Sequence, residues 1–216
     1  MRSKWCLFLP VVAASIFFIR SAAALTLGEV VAKLQQQQNT TATMVAHFTQ
    51  TAYSKALNQY QKAEGTVYIK KPGMMRWDYA PPEEQLFVIN DETFWWYTPH
   101  TKQVIKKRTE TAFDSPLPLA FLNGMGELAQ NFNIQFATGE HPPGGYALEL
   151  VPKKPQVNLK KMVLLVDEEQ FYIRQVVMYD FYDNVTTLDF SQHKINTPIA
   201  DELFEFEVPL GVQVVE

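Results

Sequence analysis

The chain has 216 residues, 47% of them hydrophobic and 13% aromatic, with 19 basic against 23 acidic side chains and a formal net charge of -4. Nucleic acid is a poor partner for so acidic a chain, because that binding rests on neutralising phosphates. A single cysteine excludes a disulfide framework, and no Gly/Ser-rich or Pro-rich stretch divides the sequence, so one domain held by burial of apolar surface is expected.

At the N-terminus Arg2 and Lys4 precede an apolar run over residues 5–19 that ends in Ser21-Ala22-Ala23-Ala24, the layout of a secretory signal peptide. The run is interrupted by Pro10, closed by Arg20 and too short to span a bilayer comfortably, while Ala22 and Ala24 fit the small positions of a cleavage site before Leu25. The expected division is a cleaved leader over residues 1–24 and one exported domain over residues 25–216. Cys6 lies in the leader and cannot become the lipid-modified first residue of a mature lipoprotein. Cleavage removes Arg2, Lys4 and Arg20, leaving 16 basic residues against 23 acidic ones and a net charge of -7.

Thr26 followed by Glu29 is a capping box, and Leu27, Val30, Val31 and Leu34 recur at helical spacing, which predicts an amphipathic helix ending near residues 35–39. The period then changes to two. Met44, Ala46 and Phe48 alternate with polar neighbours, as do Val67 and Ile69, and Met75, Trp77 and Tyr79 alternate with Met74, Arg76 and Asp78. Turn signals recur at Lys71-Pro72-Gly73, Pro81-Pro82, Asn90-Asp91, Pro99-His100, Gly144-Gly145 and Asp183-Asn184, too closely spaced for helical crossovers, so the strands are predicted to form a long antiparallel meander. Residues 115–132 break this rhythm and read as short helices. Strands resume at residues 134–136, 146–150, 162–166, 173–178 and 185–190, and the chain closes on Leu203, Phe204, Phe206, Val208 and Val212.

Catalytic chemistry is not legible in this pattern. The four histidines, His47, His100, His141 and His193, lie too far apart for metal-pair spacing, no G-x-S-x-G surrounds a serine, and no Gly-rich phosphate loop follows a strand. Asp167-Glu168-Glu169 sits at a predicted turn and reads as a solvated hairpin tip. What the sequence does carry is apolar surface on both faces of a strand. In Phe94-Trp95-Trp96-Tyr97 alternation sends Phe94 and Trp96 one way and Trp95 and Tyr97 the other, so helices, a second sheet or a ligand must cover both sides. Few helical residues are available for so long a sheet, which leaves apolar area that a hydrophobic guest could fill.

A series of motifs runs through the chain in order: Phe48-x-Gln50; Gly65-x-Val67-x-Ile69-x-Lys71-Pro72-Gly73-Met74-Met75-Arg76-Trp77-x-Tyr79; Trp95-x-Tyr97-x-Pro99 with Gln103; Leu150-x-Pro152; Leu188-x-Phe190 with Asn196; and Phe204-x-Phe206-x-Val208-Pro209-x-Gly211-Val212-x-Val214. On these the sequence resembles the LolA family of outer-membrane lipoprotein carrier proteins from Leu25 to its end. The resemblance implies a mainly β (α+β) fold, a single antiparallel sheet curved into an unclosed half-barrel and covered by short helices acting as a lid. It implies a monomeric, non-enzymatic periplasmic carrier without cofactor or metal, which shields the acyl chains of lipoproteins. Its partners would be those lipoproteins, an ATP-driven release complex at the inner membrane and a receptor at the outer membrane. A related half-barrel receptor or envelope-stress sensor, and an envelope hydrolase, are the alternatives; the receptor is itself a lipoprotein, and no cysteine here could carry its lipid.

The acyl cavity is expected on the row Met75, Trp77 and Tyr79, continued by Phe87, Ile89, Trp95 and Tyr97 and closed by Leu119, Phe121 and Leu122. The family's arginine before the turn proline, which holds the lid closed through hydrogen bonds to helix backbone, is matched by Lys71. A lysine lacks the planar five-donor fork, so a looser lid is expected. Asn90-Asp91 replaces the family's Asp-Gly turn without penalty, since Asn and Asp tolerate left-handed backbone.

Overall fold

The computed structural model describes residues 25–90, 92–109, 128–139, 141–156 and 158–215. The first element, helix α1 (Leu27–Thr40), begins as its capping box requires. Thr26 Oγ1 accepts the Glu29 backbone N–H at 3.3 Å, and the Glu29 carboxylate accepts the Thr26 N–H at 2.8 Å. At the other end two threonines take up orphaned carbonyls: Thr41 Oγ1 donates to Gln37 O at 2.8 Å and Thr40 Oγ1 to Gln36 O at 3.0 Å. Val30 and Leu34 are fully buried, each contributing about 1.5–3 kcal/mol of apolar burial.

Among the described residues twelve strands form one sheet: β1 (Thr43–Ser54), β2 (Gln59–Lys70), β3 (Met74–Tyr79), β4 (Leu86–Asn90), β5 (Thr93–Thr98), β6 (Gln103–Arg108), β7 (Phe132–Phe136), β8 (Gly145–Pro152), β9 (Lys161–Asp167), β10 (Ile173–Tyr179), β11 (Val185–Ile195) and β12 (Gln213–Val215). Their order is β12-β6-β5-β4-β3-β2-β1-β11-β10-β9-β8-β7. Two meanders, β1 to β6 and β7 to β11, are joined where β11 pairs with β1, and the sheet stays open between its edges β12 and β7. This is the expected unclosed half-barrel, with α1 on its inner face. Of the helices expected within residues 115–132, the turn Leu128–Asn131 is described.

Antiparallel pairing holds throughout except at one edge, where β12 runs parallel to β6. The cause is the path of the C-terminal segment, which leaves β11 and crosses the outer face as a strap. Asn196, left-handed at φ 55°, starts it: its Oδ1 accepts the Ala42 N–H at 2.7 Å and its Nδ2 donates to Thr40 O at 3.1 Å. Lys70 then donates to Ile199 O at 2.6 Å and pairs with Asp201, and Arg76 Nη1 donates to Leu203 O at 3.0 Å. Phe204, at the end of a 3-10 turn (Asp201–Phe204), is fully buried. From there the chain lays its last strand alongside β6, in the same direction.

Candidate functional site

Alternation in β3 turns Met75, Trp77 and Tyr79 to the inner face and leaves Met74, Arg76 and Asp78 outside. The β3–β4 register sets Met75 opposite Ile89 and Trp77 opposite Phe87, and these four side chains and Tyr79 are buried in one core with Val30 and Leu34 of α1. The next hairpin changes parity. Asn90 pairs with Thr93, so Ile89 faces Phe94 and Phe87 faces Trp96. The inner row therefore continues through Phe94 and Trp96, not through Trp95 and Tyr97 as expected from sequence. A two-residue turn places odd-numbered residues of β4 opposite even-numbered residues of β5, and a one-residue slip exchanges the faces. Trp95 and Tyr97 lie outside, with ring centroids 5.5 and 5.8 Å from Phe206 of the strap, and the Lys106 ammonium stands 4.9 Å over the Trp95 ring. The strap is thus the second cover that the Phe-Trp-Trp-Tyr run requires.

Aromatic rings span the inner face. Phe190 lies 6.1 Å from Trp77, Trp77 4.6 Å from Phe48, Phe48 4.8 Å from Tyr79, Tyr79 5.6 Å from Phe87 and Phe87 5.3 Å from Trp96. Phe48 on β1 reaches Tyr79 on β3 because the residue between them on β2 is Gly65. A Cβ there would lie 2.0 Å from the Asp78 carbonyl oxygen and 2.9 Å from the Phe48 ring. The polar handles of the row are satisfied. Trp77 Nε1 points to Met75 Sδ at 3.1 Å, the Tyr79 hydroxyl donates to Gln50 Oε1 at 2.8 Å, and Trp96 Nε1 donates to Gln85 Oε1 at 3.0 Å. Burial pushes the Tyr79 phenol well above its ordinary range, so it stays a neutral donor. The other meander adds Leu148, Leu150, Met162, Leu164 and Val176, and the result is a broad apolar face in which, among the described residues, no charged side chain is buried.

Sequence reasoning missed Phe48, Phe190, Phe94 and Trp96. The signal for the last two was the two-residue turn; the first two required the long-range β1–β11 pairing, which sets Phe48 opposite Phe190. Leu119, Phe121 and Leu122 lie outside the described residues.

Lys71 is half-buried, and its ammonium donates to the backbone carbonyl of Gln38 in the last turns of α1. Its own N–H donates to Ala42 O at 2.8 Å, which holds the β2–β3 turn against the end of the helix. A cation is well placed at the carbonyl end of a helix dipole. Desolvation lowers the Lys71 pKa from the ordinary lysine value. Among the described residues no group of three or more His, Cys, Asp or Glu side chains is arranged to hold a metal ion. No helix among the described residues is long and apolar enough to cross a membrane.

The family model described as outer membrane lipoprotein carrier protein LolA matches residues 39–207. An outer-membrane lipoprotein carrier protein of Nitrosomonas europaea is 32% identical over 177 residues, covering 82% of this chain and 84% of that protein. One from Nitrosospira multiformis is 28% identical over 215 residues, covering 100% of this chain and 98% of its own length. The fold is shared with the crystal structure of an uncharacterized conserved protein from Thermus thermophilus, at a TM-score of 0.55 and 15% identity, over 87% of this chain and 97% of that one.

Proposed function

The chain belongs to the LolA family of outer membrane lipoprotein carrier proteins, and from that premise we propose that it carries lipoproteins across the periplasm with their acyl chains held against the inner face of its half-barrel. The observation that carries the reading is that face: a row of rings and aliphatic side chains continuous over both meanders and covered by a helix. Acyl chains bind a bilayer with about 0.8 kcal/mol per buried methylene, so a pair of long chains represents on the order of 20 kcal/mol and does not leave unaided. A carrier must offer an apolar surface of comparable quality and must yield it again. An open sheet with a helical cover suits both demands, since a helix can move off the face without breaking the β-ladder.

On this reading Met75, Trp77, Tyr79, Phe87 and Ile89, with Phe94 and Trp96, receive the acyl chains, and Lys71 helps to hold α1 over them. Residues 1–24 serve as a cleaved leader and residues 25–216 as the carrier. Cargo is received from an ATP-driven complex at the inner membrane and passed to an outer-membrane receptor, and the chain itself catalyses no reaction. Purification from the native periplasm tests these points together. The expected product begins at Leu25 by N-terminal sequencing and co-purifies with acylated lipoproteins identified by mass spectrometry. An uncut chain in the membrane fraction, or a periplasmic chain free of lipoproteins when their release from the inner membrane is active, counts against the reading.

A further inference from the structure

A lipoprotein presents two chemistries at its N-terminus, acyl chains and the polar peptide that follows them. The apolar inner face suits the first; peptide N–H and C=O groups drawn into the edge of the fold need hydrogen-bonding partners of their own. A crevice of about 680 Å³ supplies them. It opens between α1 and the strands β10 and β11, and is lined by Gln37 from the helix, Gln170 and Tyr172 from the β9–β10 turn, and Arg174, Gln192 and His193 from the strands. Phe190 lines it as well and lies 6.1 Å from Trp77, so the crevice leads directly onto the aromatic row.

Two irregularities of the β-ladder meet there. The β1–β11 register shifts between Val45 and His47, with Gln192 left-handed at φ 54°, and the β9–β10 register shifts between Ile173 and Gln175, leaving Arg174 as an extra residue. Bulges of this kind re-aim side chains and collect beside functional sites. His193 Nε2 lies 3.3 Å from the Ile173 carbonyl, which can only accept; the hydrogen is therefore on Nε2, and Nδ1 is left as an acceptor in the neutral ring. Its ring centroid is 4.2 Å from that of Tyr172. Arg174 Nη1 donates to Gly144 O at 3.0 Å, which fixes one arm of the guanidinium. The side-chain amides of Gln37, Gln170 and Gln192 make no hydrogen bond among the described residues, and each offers both a donor and an acceptor, as a peptide does.

Resting on the carrier reading, we propose that this crevice is the subsite for the peptide segment immediately after the acylated N-terminus of the cargo, held in extended form by Gln37, Gln192 and His193 while the acyl chains occupy the inner face. The mature protein should then bind a synthetic diacylated-cysteine peptide more tightly than a diacylglycerol with the same chains. Gln37→Ala combined with His193→Ala should weaken lipopeptide binding about tenfold, as loss of two hydrogen bonds implies, and leave diacylglycerol binding within about twofold. Gln37→Ala alone, at a half-buried helix position where alanine is the best helix former, should give a several-fold share of that loss without disturbing the fold. Equal loss for both ligands would place these residues in the acyl site or the general fold and overturn the proposal, as would no loss for either. If the unaltered protein binds neither ligand, the carrier reading itself fails.

Discussion

Gly65 lets two rings from strands on either side of it meet, and its replacement is therefore a sharp probe of the aromatic row. The added Cβ of Gly65→Ala would collide with the backbone carbonyl of Asp78, which cannot move aside as a flexible side chain could. Overpacking of this kind destabilises by about 1–3 kcal/mol, and the backbone collision places this substitution at or above the top of that range. Urea denaturation should show a clearly lower midpoint; an unchanged midpoint would mean that Phe48 and Tyr79 do not depend on the gap. His193 offers a second probe at this scale. Desolvation lowers its pKa against the smaller opposing effects of the Ile173 hydrogen bond and the Asp167 charge. As pH falls, the unfolded chain takes up this proton first, so the stability due to the neutral ring is complete above the ordinary histidine range and is lost as pH falls through the lowered folded value. Thermal melts at pH 7 and pH 5 should show a smaller acid-induced drop for His193→Gln than for the parent, and parallel drops would contradict the assignment. Sequence alone could find the rings but not all their faces: Met75, Trp77 and Tyr79 follow from alternation within one strand, whereas Trp95 and Tyr97 were misplaced by the parity of a single hairpin.

The elements differ in how far local chemistry specifies them. Helix α1 was legible because its cap and its apolar spacing are both local, and the strands were legible from alternation between turn signals. The strap was not. Its contacts at Thr43, Lys70 and Arg76 join residues more than a hundred positions apart, and it forms only a 3-10 turn and a three-residue strand of its own. Lys71 belongs to this scale, because it ties the β2–β3 turn to the end of α1. One ammonium on one carbonyl is a weaker tie than a guanidinium fork could make. Lys71→Arg should therefore close the cover more firmly and Lys71→Ala should loosen it; a difference of ~1.4 kcal/mol shifts the open population about tenfold. Binding of an environment-sensitive hydrophobic dye to the unliganded protein should rise in the order Arg, Lys, Ala. Equal dye binding by all three would sink the latch and leave the carrier reading intact.

At the scale of the whole molecule, two meanders share one inner face, and closing them into a barrel would seal it. Leaving the sheet open while covering it with α1 keeps the face dry without making it inaccessible: Trp77 and Phe48 are 0% exposed and Met75 and Ile89 only 1%, yet what covers them on one side is a helix whose end is tied to the sheet by the Lys71–Gln38 and Asn196–Thr40 hydrogen bonds. On the outer face the strap covers Trp95 and Tyr97, which leaves the inner face as the one proposed for cargo. Residues 25–216 of the purified protein, added to spheroplasts that release lipoproteins from the inner membrane, test this most directly. A newly acylated lipoprotein should leave the membrane as a soluble one-to-one complex with the chain, and an otherwise identical lipoprotein lacking acyl chains should form no such complex. Acylated cargo that stays in the membrane fraction at every concentration of the chain, or complex formation that does not depend on acylation, would contradict the carrier reading.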